Sequence, residues 1–169
     1  MKITHTLLSS AALIFIGSQS LVAQASVEKV PAEKEAEQKL DFGDFSSQTL
    51  TTNAWASLAA KDHKAVEGFV GKCIEMFEKQ AVEMQGKLKA APTKETANEF
   101  WALNDVCTCY FIRAQSKEAK GDTKGALADY KVVVEKLSFG QCWDVKGWFW
   151  KPSDAAKGKI KELEFDSAE

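Results

Sequence analysis

The densest chemistry in the chain lies in Phe139–Lys151, FGQCWDVKGWFWK, where three of the five tryptophans gather with two phenylalanines, Cys142 and Asp144. Rings in such a cluster either stack on a ligand, such as a sugar or a peptide, or plug the open end of a helical core. A second polar and aromatic group stands at Trp101–Val106, WALNDV, where Asn104 and Asp105 follow Trp101. Asp105 falls opposite the apolar stripe of its segment. Chain reversal that brought Asp105 or Asp144 to Trp101 or Trp143 would create a polar site with aromatic walls. The plainer expectation is that Asn104 or Asp105 bonds loop backbone and that Asp144 fixes a turn through its side chain.

Other catalytic constellations are missing from the sequence. Beyond the first 25 residues the one histidine is His63, next to an Asp that reads as a helix cap, and no Gly-x-Ser-x-Gly elbow accompanies it for a hydrolytic triad. The four cysteines include no CxxC pair, and Cys107-Thr-Cys109 is too tight for a zinc knuckle, so neither a metal nor another cofactor is expected. Asp41-Phe42-Gly43 matches a kinase motif by letters only, because no phosphate loop or catalytic Asp loop accompanies it. No catalytic residue is assigned, and the chain is not expected to be an enzyme.

The N-terminus reads as an export signal. Lys2 is followed by a mostly apolar run, Leu7–Ile16, and by Ala23-Gln24-Ala25, which has the small-residue alternation of a cleavage site. An apolar run of about 10 residues is too short for the ~20 that span a bilayer, so residues 1–25 are expected to be a signal peptide and no membrane span should remain. Removing Lys2 from 22 basic residues leaves 21 against 24 acidic ones, a balance of −3, which argues against nucleic acid as a partner. Residues 26–46 form a Glu/Lys/Ala-rich leader with little to bury, apart from Phe42 and Phe45, which could tuck against the following domain.

From Thr51 onward the apolar residues keep helical spacing. Val66, Phe69, Val70, Cys73, Phe77 and Ala81 line one face, Phe100, Leu103, Val106, Cys107, Tyr110 and Ala114 a second, and Ala126, Tyr130, Val133 and Leu137 a third. Strand-like alternation is nowhere sustained, so the fold class is all-α over residues 47–169. Breaks at Lys61-Asp62, Ala91-Pro92-Thr93 and Lys120-Gly121-Asp122 predict Asp62, Thr93 and Asp122 as helix caps, and such short turns force antiparallel hairpins. Pro152 opens a final capping helix carrying Ala156, Ile160 and Leu163. Tyr110, Ala114, Gly121, Ala126 and Tyr130 resemble the tetratricopeptide pattern, with a degenerate partner around Trp55, Leu58 and Asp62.

A resemblance covers most of the chain beyond residue 25. DFGDFSSQTL, WALNDV and QCWDVKGWFWK are similar to stretches in short exported bacterial proteins with a tetratricopeptide-like domain, some labelled "β-glucanase precursor". The resemblance implies a fold and a periplasmic or secreted location. The enzymatic label meets the requirement of two carboxylates facing each other across a sugar cleft, and most acids here lie on Lys/Glu-rich helix faces. In an exported protein the thiols are expected to be at least partly oxidised. Cys107 and Cys109 sit about 200° apart on a helix and cannot pair with each other. Reflection about Gly121 brings Cys142 within reach, so Cys142 with Cys107 or Cys109 is the expected disulfide, while four cysteines allow three full pairings.

The expected function is a binding or scaffold module that contacts an envelope protein or peptide near Trp55, Trp101 and Tyr110, with Asn104 and Asp105 adding polar contacts. The alternative is a glucan-binding or glucan-hydrolysing protein using Trp143, Trp148 and Trp150 with Asp144 or Asp105.

Overall fold

The computed structural model describes residues 39–167. The segment expected to be a signal peptide, residues 1–25, and most of the expected leader lie outside the described residues. Five α-helices follow in chain order: α1 Ser47–Ala59, α2 His63–Gly86, α3 Trp101–Ala119, α4 Thr123–Glu135 and α5 Pro152–Asp166. A short 3-10 turn, Ala97–Phe100, leads into α3, and two three-residue strands, β1 Cys142–Asp144 and β2 Trp148–Trp150, stand between α4 and α5.

The caps explain where most of the helices begin. Ser46 Oγ accepts the Thr49 N–H at 3.2 Å, Asp62 Oδ1 accepts Ala65 N–H at 2.9 Å, and Asp122 Oδ1 accepts Gly125 N–H at 2.9 Å. Each cap satisfies one of the orphan amides that a helix start leaves, typically contributing ~1 kcal/mol. The α5 helix has Pro152 in its first turn, where a missing N–H costs nothing. Thr93 departs from its expected role. It closes a turn through its backbone carbonyl, which accepts the Thr96 and Ala97 N–H groups, and α3 starts eight residues later without a side-chain cap.

Two helix ends use the same reversal. Asp62 N–H donates to Ser57 carbonyl oxygen and Asp122 N–H to Lys117 carbonyl oxygen, both at 2.9 Å. The residue before each Asp lies in the left-handed region, Gly121 at φ +77° and Lys61 at φ +59°. Glycine takes this conformation without steric cost, whereas lysine pays for it.

Helix α3 is the centre of the domain. It packs against α1, α2 and α4, with α5 closing on α4. Leu103, Val106, Cys107, Cys109, Ile112 and Ala114 are fully buried on it, so its surroundings are apolar on most sides. Val66, Val70 and Cys73 meet it from α2, and Tyr130 and Val133 from α4. One buried polar group crosses this core boundary. Asp129 of α4 is bonded by Arg113 through Nε and Nη2 and by Lys117 through Nζ, all at 2.8 Å, which fixes α4 on α3.

One expectation changes here. The aromatic segment is an antiparallel hairpin in which Cys142 pairs with Trp150, Trp143 with Phe149 and Asp144 with Trp148. The domain is therefore mostly helical with one small sheet, and three-residue strands are too short for a period of two to register. Gly147, at φ +103°, completes the turn. Phe42 tucks against the domain as its sequence position allowed, edge-on to Phe69 at 5.7 Å, and Leu40 packs there with it.

Candidate functional site

The hairpin does not float free. Gln141, just before β1, donates its backbone N–H to Asn104 Oδ1 at 2.8 Å, and Asn104 Nδ2 donates to the Ala97 carbonyl at 2.8 Å. Gln141 Nε2 reaches the Pro92 carbonyl at 2.6 Å, and Phe139 N–H donates to Gln85 Oε1 at 3.0 Å. Gly140 lies so close to α3 that a Cβ there would stand 2.5 Å from Cys107 Cβ, so only glycine lets the strand lie down. Trp150 then packs edge-on against Phe111 at 5.4 Å.

This strapping leaves a cleft of about 690 Å³ between α1, the start of α3 and the hairpin. From α1 come Ser47, Thr51 and Trp55, at successive fours on one face, with Gln48 and Thr52 beside them. From α3 come Trp101, Asn104, Asp105 and Thr108 at helical spacing. Phe77 of α2 and Gln141, Cys142, Trp143 and Phe149 of the hairpin complete the walls. Trp101 meets Phe77 edge-on at 5.6 Å and Trp143 meets Phe149 edge-on at 5.0 Å. Trp101 is 41% exposed and Trp143 51%, so both keep ring surface available to a ligand.

The charge in the cleft is Asp105. Its Oδ2 accepts a hydrogen bond from Ser47 Oγ, across 58 residues of sequence. Burial raises its pKa above the usual carboxylate range, and the Ser47 hydroxyl draws it part of the way back. Among the described residues no lysine, arginine or histidine lines the cleft. Nearby, burial pushes the Cys142 and Cys109 thiols up, the second further raised by the adjoining Cys73 thiol and eased by the Thr51 hydroxyl 3.3 Å away.

Of the residues singled out in the sequence, the fold brings Trp55, Trp101, Asn104, Asp105 and Trp143 to this one cleft. Asn104 is there as a brace, since both ends of its carboxamide are spent on the hairpin and the 3-10 turn. Tyr110 lies elsewhere on α3. It is buried, donates to Glu78 Oε1 at 2.6 Å and carries the Arg113 guanidinium 5.0 Å over its ring; burial, then Glu78, pushes its pKa up. The three hairpin tryptophans do not share a surface, because neighbours in a strand point to opposite faces and the register sets Trp143 with Phe149, away from Trp148 and Trp150. Trp148 faces solvent with Lys146 Nζ 5.9 Å over its ring. Asp144 makes a turn, accepting the Lys146 N–H at 2.8 Å on its side chain.

The expected disulfide between Cys142 and Cys107 or Cys109 is not formed in this structure. Among the described residues all four cysteines are free thiols, and Cys142 is bonded to neither Cys107 nor Cys109. Cys73, Cys107 and Cys109 are fully buried and behave as small apolar packing residues. Sequence reasoning missed Ser47, Thr51, Phe77, Gln141 and Phe149. The 47, 51, 55 spacing on α1 was the one signal available for two of them.

No group of three or more metal-ligating side chains occurs among the described residues, and no helix there is long and apolar enough to cross a membrane. Compared with known proteins, the chain matches no protein-family model, no curated protein and no solved structure.

Proposed function

We propose that the domain is a tetratricopeptide-like binding module that takes a segment of a partner protein into the cleft between α1 and α3. The observation that carries the reading is the cleft itself, in which Trp55, Trp101 and Trp143 converge with Asp105 from three separate parts of the chain. The architecture supports it. The α1–α2 and α3–α4 pairs are joined by reversals with the same hydrogen bonds at Asp62 and Asp122, and the first helix of each pair contributes to one open face. Stacked helix pairs of this kind form concave surfaces suited to extended peptides. With the sequence-based export signal, the partner would be an envelope or secreted protein.

A second reading, glucan binding, is favoured by the exposed ring surface of Trp101 and Trp143, on which a sugar could stack. Hydrolysis by paired carboxylates gains no support, because among the described residues one carboxylate lines the cleft and Asp144 is committed to the hairpin turn.

A displayed peptide library selected on the wild-type protein tests the main reading. Selected peptides should quench tryptophan emission, and Trp101→Ala should weaken them about tenfold or more, as loss of an interface aromatic does. If selection yields nothing and β-glucan oligosaccharides shift the emission instead, the peptide reading is wrong and the glucan reading stands.

A further inference from the structure

We infer that the cleft takes a basic side chain, the ammonium of lysine or the guanidinium of arginine, from the partner segment, with its charge placed at Asp105 and its stem among the tryptophans. The inference deepens the peptide-binding proposal and rests on it.

Charge comes first. Asp129, which is buried, and Asp105, which is half-buried, are partnered differently. Asp129 is met by Arg113 and Lys117, each at 2.8 Å. Asp105 receives one hydroxyl, from Ser47, and among the described residues no cationic nitrogen lies within salt-bridge distance of it. A carboxylate drawn out of water without a counter-ion is costly, and a cation supplied by a ligand would recover that cost. An anionic ligand would be repelled, and a neutral one would leave the charge as it is.

The walls fit the same chemistry. The faces of Trp, and less strongly those of Phe, attract cations through the ring quadrupole, and the apolar stem of Lys or Arg lies comfortably against indole. Trp55, Trp101, Trp143, Phe77 and Phe149 share the cleft with the carboxylate, and among the described residues no basic side chain lines it to compete for them. The other titratable groups facing Asp105 are the Cys109 thiol on its own helix and the Cys142 thiol on the hairpin, while α1 presents the Ser47 hydroxyl. Burial keeps both thiols protonated, so neither contributes a competing charge.

The test uses capped pentapeptides with a central lysine, arginine, norleucine or glutamate, titrated against the full chain by tryptophan emission. The lysine and arginine peptides should bind about tenfold more tightly than the norleucine one, matching a charge-assisted contact. Asp105→Asn, which can still accept from Ser47, should remove that preference. If the norleucine peptide binds as well, or the preference survives Asp105→Asn, the inference fails while peptide binding remains. If none of the four binds, the inference and the peptide reading fall together. A measurement without substitution checks the same contact: the carbon-13 carboxyl signal of Asp105 should titrate at lower pH with the lysine peptide bound, and an unchanged or higher midpoint would overturn the contact.

Discussion

Asn104 and Gln141, 37 residues apart, are joined by a 2.8 Å hydrogen bond from the Gln141 backbone N–H to the Asn104 side-chain carbonyl, and this bond holds the hairpin over the cleft. Replacing Asn104 with alanine leaves the Gln141 amide and the Ala97 carbonyl without buried partners. The expected loss is about 2–4 kcal/mol, from two unsatisfied groups at 1–3 kcal/mol each with partial relaxation. Urea unfolding should report it, and amide exchange at Gln141 should quicken more than exchange at Ile112 in the core. Equal protection at Gln141 in both proteins would show that the brace is dispensable.

The Asp129 cluster predicts a larger effect. Asp129→Ala removes the shared acceptor of Arg113 and Lys117 and leaves a partly buried guanidinium without its carboxylate. Breaking one side of such a buried pair typically costs about 3–5 kcal/mol. A change in urea midpoint equivalent to under about 1 kcal/mol would place the pair with ordinary surface bridges.

Opposite signs are expected at the two matching turns. Lys61→Gly relieves a left-handed lysine and should stabilise by about 1 kcal/mol, and Gly121→Ala should destabilise by about the same amount. Thermal melting of the two variants beside wild type decides it. Shifts in the same direction would mean that backbone conformation is not what distinguishes these sites.

Asp105 gives a pH dependence. A carboxyl whose folded pKa is raised contributes to stability in its protonated form. That contribution is lost as pH rises from the ordinary carboxylate range through the raised value. Asp105→Asn should therefore be more stable than wild type at neutral pH, with the advantage gone in acid below the ordinary carboxylate range. Urea midpoints of both proteins at the two pH values provide the check, and a variant weaker than wild type at neutral pH would contradict the assignment.

The helices were legible because Val66, Val70 and Cys73 or Ala126, Tyr130 and Val133 repeat at threes and fours, and Asp62 and Asp122 announce the turns. The hairpin was not, since its strands are three residues long and their pairing depends on Asn104 and Gly140 contacts from the loop before them. The cleft was half legible. Its tryptophans and Asp105 stand out by type, but Ser47 and Phe77 earn their places only through contacts between helices. The sequence spacing permits a bridge between Cys142 and α3, and this structure holds the cysteines as free thiols.

The cleft takes its walls from Ser47 near the start of the domain to Phe149 close to its end. A ligand held there touches parts of the chain that separate completely on unfolding, so it binds the native form alone and must raise the melting temperature as its concentration exceeds its dissociation constant. Thermal shift across a panel of peptides and oligosaccharides would thus find a ligand before its chemistry is known.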